Sequence, residues 1–107
     1  MRESHSFSVS VAKKVGVNAA VILHTILWWH EWAKDNGADY RDGLYWIPCS
    51  MRSWQKAFPY LGRSAIETAL GKLVDAGYVK VGNYNDTSFD RTKWYAITEL
   101  GIKAMEE

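Results

Sequence analysis

Between residues 63 and 76, apolar side chains return every three or four positions, at Ile66, Ala69, Leu70, Leu73 and Val74, with Arg63, Glu67, Lys72 and Asp75 between them. That spacing gathers the apolar set on one face of a helix, and Gly77 is a natural stop. From Tyr78 the period changes to two: Val79 and Val81 share one face of a strand and Lys80 takes the other. A polar run over 84–91 leads to a second extended stretch over 92–98, so a hairpin is expected after the helix. Upstream, Ser50 can cap a short helix over 51–58 whose stripe is Trp54, Ala57 and Phe58, and Pro59-Tyr-Leu-Gly makes the turn between the two helices.

The first half of the chain reads less evenly. Phe7, Val9, Val11, Ala12 and Val15 form a mixed pattern best taken as a short helix; Gly16 stops it and Asn18 can cap the next. From Ala19 to Ala33 nearly every side is apolar, the mark of a helix buried over most of its surface, as the central pillar of the domain or partly as a subunit interface. A polar connection follows, with turn dipeptides at Asn36-Gly37 and Asp42-Gly43, and is expected to be mobile. Residues 44–48 make a short strand whose Pro48, lacking an amide hydrogen, belongs at a sheet edge. A last helix is expected over 99–105.

The order helix, helix, strand, helix, helix, strand, strand, helix gives an α+β fold. The expectation is a winged helix-turn-helix: a helical bundle with a small three-stranded antiparallel sheet. It would form one domain over 1–107, with a helical part at 7–35, the helix-turn-helix at 50–77 and the wing hairpin at 78–98.

Composition narrows the functional classes. With 107 residues, 48% of them hydrophobic, the chain can bury one core and not two. The 13 basic and 12 acidic side chains leave a net charge of +1, too little for a protein that coats nucleic-acid backbone indiscriminately. Affinity for DNA would have to come from local clustering of cations; otherwise the partner is a protein. Cys49 is the only cysteine, so no internal disulfide can form, and with no apolar run behind the N-terminal charge no signal peptide is expected. His24, His30 and Glu31 interrupt the most apolar stretch, which falls short of a membrane span. The cytoplasm is the expected compartment.

Placed in a major groove, the second helix of the helix-turn-helix would offer Arg63, Ser64, Glu67, Thr68 and Lys72. Arginine can donate two parallel bonds to guanine, and the hydroxyls can serve bases or phosphates. The bland alternative is a helical hairpin with a solvated polar face. On the hairpin, Lys80, Asn85, Arg91 and Lys93 could lie along phosphates, against the opposing charges of Asp86 and Asp90. Asp90 could instead pair with a neighbouring cation or cap the turn.

Trp94, Tyr95, Tyr78 and Phe89 could form a stacking platform for single strands, although aromatics in a small sheet more often make core. Trp28, Trp29 and Trp32 cannot all point the same way on one helix; an exposed one suggests a partner interface, unless the first and last helices cover it. His5, His24, His30 and Cys49 lack zinc-site spacing, and neither a phosphate loop nor a nucleophile elbow is present. No catalytic residue, metal or cofactor is therefore expected.

The run from Gly82 to Thr98, above all Asp90-Arg-Thr-Lys-Trp-Tyr, resembles the wing of winged-helix domains in replication initiators and replisome organisers of phages, plasmids and related mobile elements, similar to DnaD-type N-terminal domains. The likeness extends to Ala19–Trp29 as a central helix, Gly43–Ile47 as a first strand and Phe58-Pro59 as a turn. The resemblance implies origin binding to duplex DNA, self-association as a homodimer, and recruitment of the replicative helicase or its loader. It assigns Arg63, Ser64, Glu67 and Thr68 to the recognition helix and Arg91 and Lys93 to the wing. Gly62 departs from the pattern, standing where a Ser or Thr cap is expected. Such initiators carry a linker and a second domain, so the sequence reads as a piece of a longer initiator or as a stand-alone regulator. The remaining alternatives are a transcriptional regulator on the same fold and a protein-interaction winged helix that bridges replication proteins without touching DNA.

Overall fold

A computed structural model describes residues 4–37, 39–87 and 89–106. Helix α1, Val9–Val15, begins where the Ser8 hydroxyl accepts from the Val11 amide, and it ends at Gly16. Gly16 has φ of +91°, a conformation side chains resist, and it serves two helices at once. Its amide donates to Ala12 O and its carbonyl accepts from Ala20 N. Helix α2, Val17–Asn36, therefore starts immediately, which places Asn18 inside it and corrects the expectation that Asn18 caps it. The helix stops at left-handed Gly37.

The far end of the polar connection after α2 is a hairpin. Strand β1, Tyr40–Arg41, pairs antiparallel with β2, Leu44–Tyr45. Asp42 and Gly43 between them both have positive φ, 52° and 79°, the two-residue turn whose twist suits a hairpin. Trp46 fastens it: its indole N–H donates to Arg41 O at 2.9 Å and its amide donates to Asp39 O. The single strand expected over 44–48 is consequently split, with β3, Ile47–Pro48, resuming after the buried Trp46.

Helix α3, Met51–Ala57, is capped by the Ser50 hydroxyl as its sequence indicates, and α4 runs Arg63–Asp75. Strands β4, Val79–Gly82, and β5, Trp94–Ile97, then pair antiparallel, and α5, Glu99–Glu106, follows. The three-stranded antiparallel sheet has the order β3-β5-β4, with Pro48 on an edge strand opposite Trp94. The described residues thus form a mixed α+β domain of five helices with one two-stranded and one three-stranded antiparallel sheet, an arrangement compatible with a winged-helix layout.

Helix α2 is the pillar. Ile22, Leu23 and Ile26 are buried with Trp54 and Phe58 of the α3 region, Ile66 and Leu73 of α4, and Val79 and Ile97 of the sheet. Trp54 is the hub of an aromatic cluster, with ring centroids 5.4 Å from Trp29, 5.3 Å from Tyr95 and 6.1 Å from Phe58. At the opposite end, Thr98 donates to Gly77 O and accepts from Gly101 N, drawing α5 onto the chain at Tyr78. A Cβ at Gly101 would stand 2.5 Å from Tyr78 O, so only glycine permits that approach.

Candidate nucleic-acid interface

Helix α4 packs Ile66, Ala69, Leu70 and Leu73 into the core and leaves two ridges outside. Arg63, Glu67, Gly71 and Val74 form one ridge; Ser64, Thr68 and Lys72, about 100° further round the helix, form the other. Each faces its own groove. The first groove, about 850 Å³, lies between α4 and the β4–β5 hairpin; Arg63, Glu67 and Gly71 line it on one side and Val81, Arg91 and Lys93 on the other. The second, about 530 Å³, lies between α4 and the joint of α1 and α2; Ser64, Thr68 and Lys72 face Val17 and Asn18 across it. Lys72 Nζ comes 3.8 Å from the position of a Cβ on Gly16, so the ammonium stands beside the start of α2.

The sequence-derived candidates thus sort by ridge. Arg63, Glu67, Arg91 and Lys93 share the hairpin groove, and Ser64, Thr68 and Lys72 share the other. Within the first groove, Arg63 Nε donates to Glu67 Oε1 at 2.7 Å, so that its guanidinium is already paired, while both side chains remain exposed. The start of α4 has no side-chain cap because Gly62 offers none, which leaves its first amides open beside Arg63. Lys80 does not join this group. Val81 lines the hairpin groove, and strand alternation turns Lys80, one residue earlier, to the opposite face.

Asn85 is also removed from the contact set, for a different reason. Its side-chain amide donates to Asp90 O and Thr92 O, both at 2.8 Å, and its Oδ1 accepts from the Trp94 indole at 2.7 Å. Its own amide donates to Asn83 Oδ1. The carboxamide is therefore occupied in tying residue 85 to residues 90, 92 and 94. Asp90 assists: it accepts from Thr92 N, which holds its carboxyl below the usual range, and its amide donates to the Thr87 hydroxyl. Of the two roles weighed for Asp90, this geometry is turn capping.

The loop is also braced from outside, a feature that sequence reasoning missed. Tyr84 OH donates to Asp42 Oδ2 at 3.1 Å, and the Arg41 guanidinium sits 4.8 Å above the Tyr84 ring. Trp46 and Trp94 pack on the same ring, with centroids at 5.0 and 6.0 Å. The β1–β2 ribbon thus supports the wing-like hairpin; the Asp42-Gly43 dipeptide was its only sequence signal.

The tryptophans of α2 separate. Trp29 turns inward onto Trp54, which removes it from the suggested partner surface. Trp28 and Trp32, one turn apart, are 48% and 56% exposed. Of the suggested stacking platform, Tyr78 and Tyr95 are buried and Trp94 is half-buried, leaving only Phe89 exposed. His5 bonds the Tyr60 hydroxyl and His30 packs edge-on against Tyr45. Burial pushes the Cys49 thiol up to about 12, which makes it inert near neutrality. Among the described residues, no helix is long and apolar enough to cross a membrane. In comparisons with known proteins, no family model, no curated protein and no solved structure matches the chain.

Proposed function

We propose that this chain is a non-catalytic winged-helix domain that binds duplex DNA, setting α4 into the major groove and residues 83–93 along the flanking backbone, in the replication initiation of a phage or other mobile element. One observation supports the DNA reading above all: α4 keeps two ridges uncovered, one begun by Arg63 and Glu67 and one of Ser64, Thr68 and Lys72, each beside a groove that carries cations, Arg91 and Lys93 on one side and Lys72 on the other. The near-neutral net charge is no obstacle to this reading, because those cations stand around one helix rather than over the whole surface. The place in replication, the homodimer and the helicase or loader as a partner rest on the resemblance of residues 82–98 to initiator wings, and the cytoplasmic setting rests on the lone cysteine, Cys49. A transcriptional regulator would share every contact and differ only in binding a promoter instead of an origin.

Titration of duplex DNA over a range of salt concentrations tests the proposal. Four phosphate contacts, from Arg63, Lys72, Arg91 and Lys93, give a log-log slope of about -3.6, and Arg91→Ala together with Lys93→Ala should lower it by about 2. Absence of binding at low salt would overturn the DNA reading and favour the bridging role. One observation favours that second reading: Trp28 and Trp32 form an exposed aromatic pair on α2, the side-chain type enriched at protein interfaces.

A further inference from the structure

Phe89 is 92% exposed, the most exposed of the large apolar side chains among the described residues. Residue 89 is bracketed by the hydrogen bonds that fix the loop: Asp90 N donates to Thr87 Oγ1, Asn85 Nδ2 donates to Asp90 O, and Thr92 N donates to Asp90 Oδ1. The root of the same loop is held by Tyr84 on Asp42. The ring is thus presented to water beside the hydrogen-bonded Asp90, two residues from Arg91 and four from Lys93, which line the groove beside α4.

We infer that Phe89 is a wedge that enters a base step of the duplex flanking the site read by α4; this rests on the DNA-binding reading above. A flat apolar face fits a base step, and Arg91 and Lys93, which line the groove beyond it, can meet the flanking phosphates against the opposing charges of Asp86 and Asp90. Phenylalanine inserted from the minor-groove side partly unstacks the step and bends the duplex toward the major groove, and the ring regains by stacking what it lacks in water. The immediate surroundings suit a protein surface poorly: Asp86, Thr87, Asp90 and Arg91 supply a polar rim with no second large apolar side chain among them. With α4 in a major groove, the hairpin beside it reaches the adjacent minor groove, where such a wedge acts.

The test uses a closed circular plasmid relaxed by a topoisomerase in the presence of the protein, because unstacking a base step unwinds the duplex and is recorded as a shift in topoisomer distribution. The wild-type chain should shift the distribution. Phe89→Ala should bind the same plasmid roughly five- to a hundredfold more weakly and produce no shift at saturation, whereas Phe89→Trp should restore both. The ring lies in water, so all three chains should unfold at the same temperature, which separates loss of the wedge from loss of the fold. Equal affinity and an equal shift for Phe89→Ala would overturn the wedge while leaving DNA binding intact, as would wild-type binding with no shift. A wild-type chain that does not bind the plasmid at all would overturn both. Loss of self-association in Phe89→Ala with plasmid binding unchanged would make the tip a protein contact instead.

Discussion

Asn85→Ala offers the sharpest test of how the hairpin loop is held. The substitution leaves three groups without their partner: Asp90 O, Thr92 O and the Trp94 indole N–H. A protein hydrogen bond is worth about 0.5–1.5 kcal/mol net. The Asp90 carbonyl is exposed and water replaces its bond at little cost, whereas the bonds to Thr92 and Trp94 are partly shielded. The expected loss is therefore about 1–2 kcal/mol, read as a lower urea midpoint and a melting temperature lower by roughly 4–12 °C. Hydrogen exchange at the Trp94 indole should accelerate in the same variant.

Asn85→Asp refines the test. It keeps the acceptor for Trp94 and loses both donors, so a carboxylate faces two carbonyls. Its folded pKa must then exceed the value near 4 of an unfolded Asp. The variant should be least impaired below about pH 4 and lose stability as the pH rises through the folded value. If Asn85→Ala unfolds within about 0.3 kcal/mol of the wild type, below the range expected for even one hydrogen bond, and its Trp94 exchange is unchanged, the clasp does not hold the loop.

Four further outcomes follow from the same geometry. Gly71 sits inside α4 with nothing within 4 Å of an added Cβ, so Gly71→Ala should raise stability by about 1 kcal/mol in a urea titration. It should also weaken DNA binding, because the methyl stands in the hairpin groove; a destabilised variant would contradict the open space. Glu67→Gln takes the charge out of its 2.7 Å pairing with Arg63 and removes an anion from that groove, so DNA affinity at low salt should rise, and a fall would show Glu67 itself to be a contact. Gly101→Ala forces α5 away from Tyr78 O and should cost about 1–3 kcal/mol by thermal unfolding. Cys49 holds its proton up to about 12 when folded and releases it near pH 8.5 when unfolded. The Cys49 contribution to stability is thus level below that pH and falls between it and the folded value, so Cys49→Ala should flatten the alkaline slope and leave the part owed to Tyr60, Tyr84 and Tyr95, whose hydroxyls desolvation also pushes up.

How much of this was legible beforehand follows the range of the physics involved. The face of α4 and the pairing of β4 with β5 could be read because the periods of 3.6 and 2 are written in neighbouring residues. The start of α2 could not, since it is set by a positive φ at Gly16 that lets one residue serve two helices. Which tryptophan of α2 turns inward depends on Trp54, 25 positions away, and no local pattern carries that information. Alternation did separate Lys80 from Val81, but that the Val81 face is the one toward α4 is a tertiary fact. Asn85 was read as a polar loop residue free to meet phosphate; its carboxamide has inward partners only once the loop closes on Trp94. The β1–β2 ribbon escaped because two-residue strands carry no period at all.

The bond from Tyr84 to Asp42 spans 42 positions of chain, and it makes the aim of the hairpin an inherited property of a distant ribbon. Exchanges at residues 40–45 can tilt the arm and alter the distance between its tip and α4 while every contacting side chain stays the same. On the DNA-binding reading proposed above, specificity can drift through the scaffold, and a search for its determinants confined to the proposed contact surface would overlook the brace that aims it.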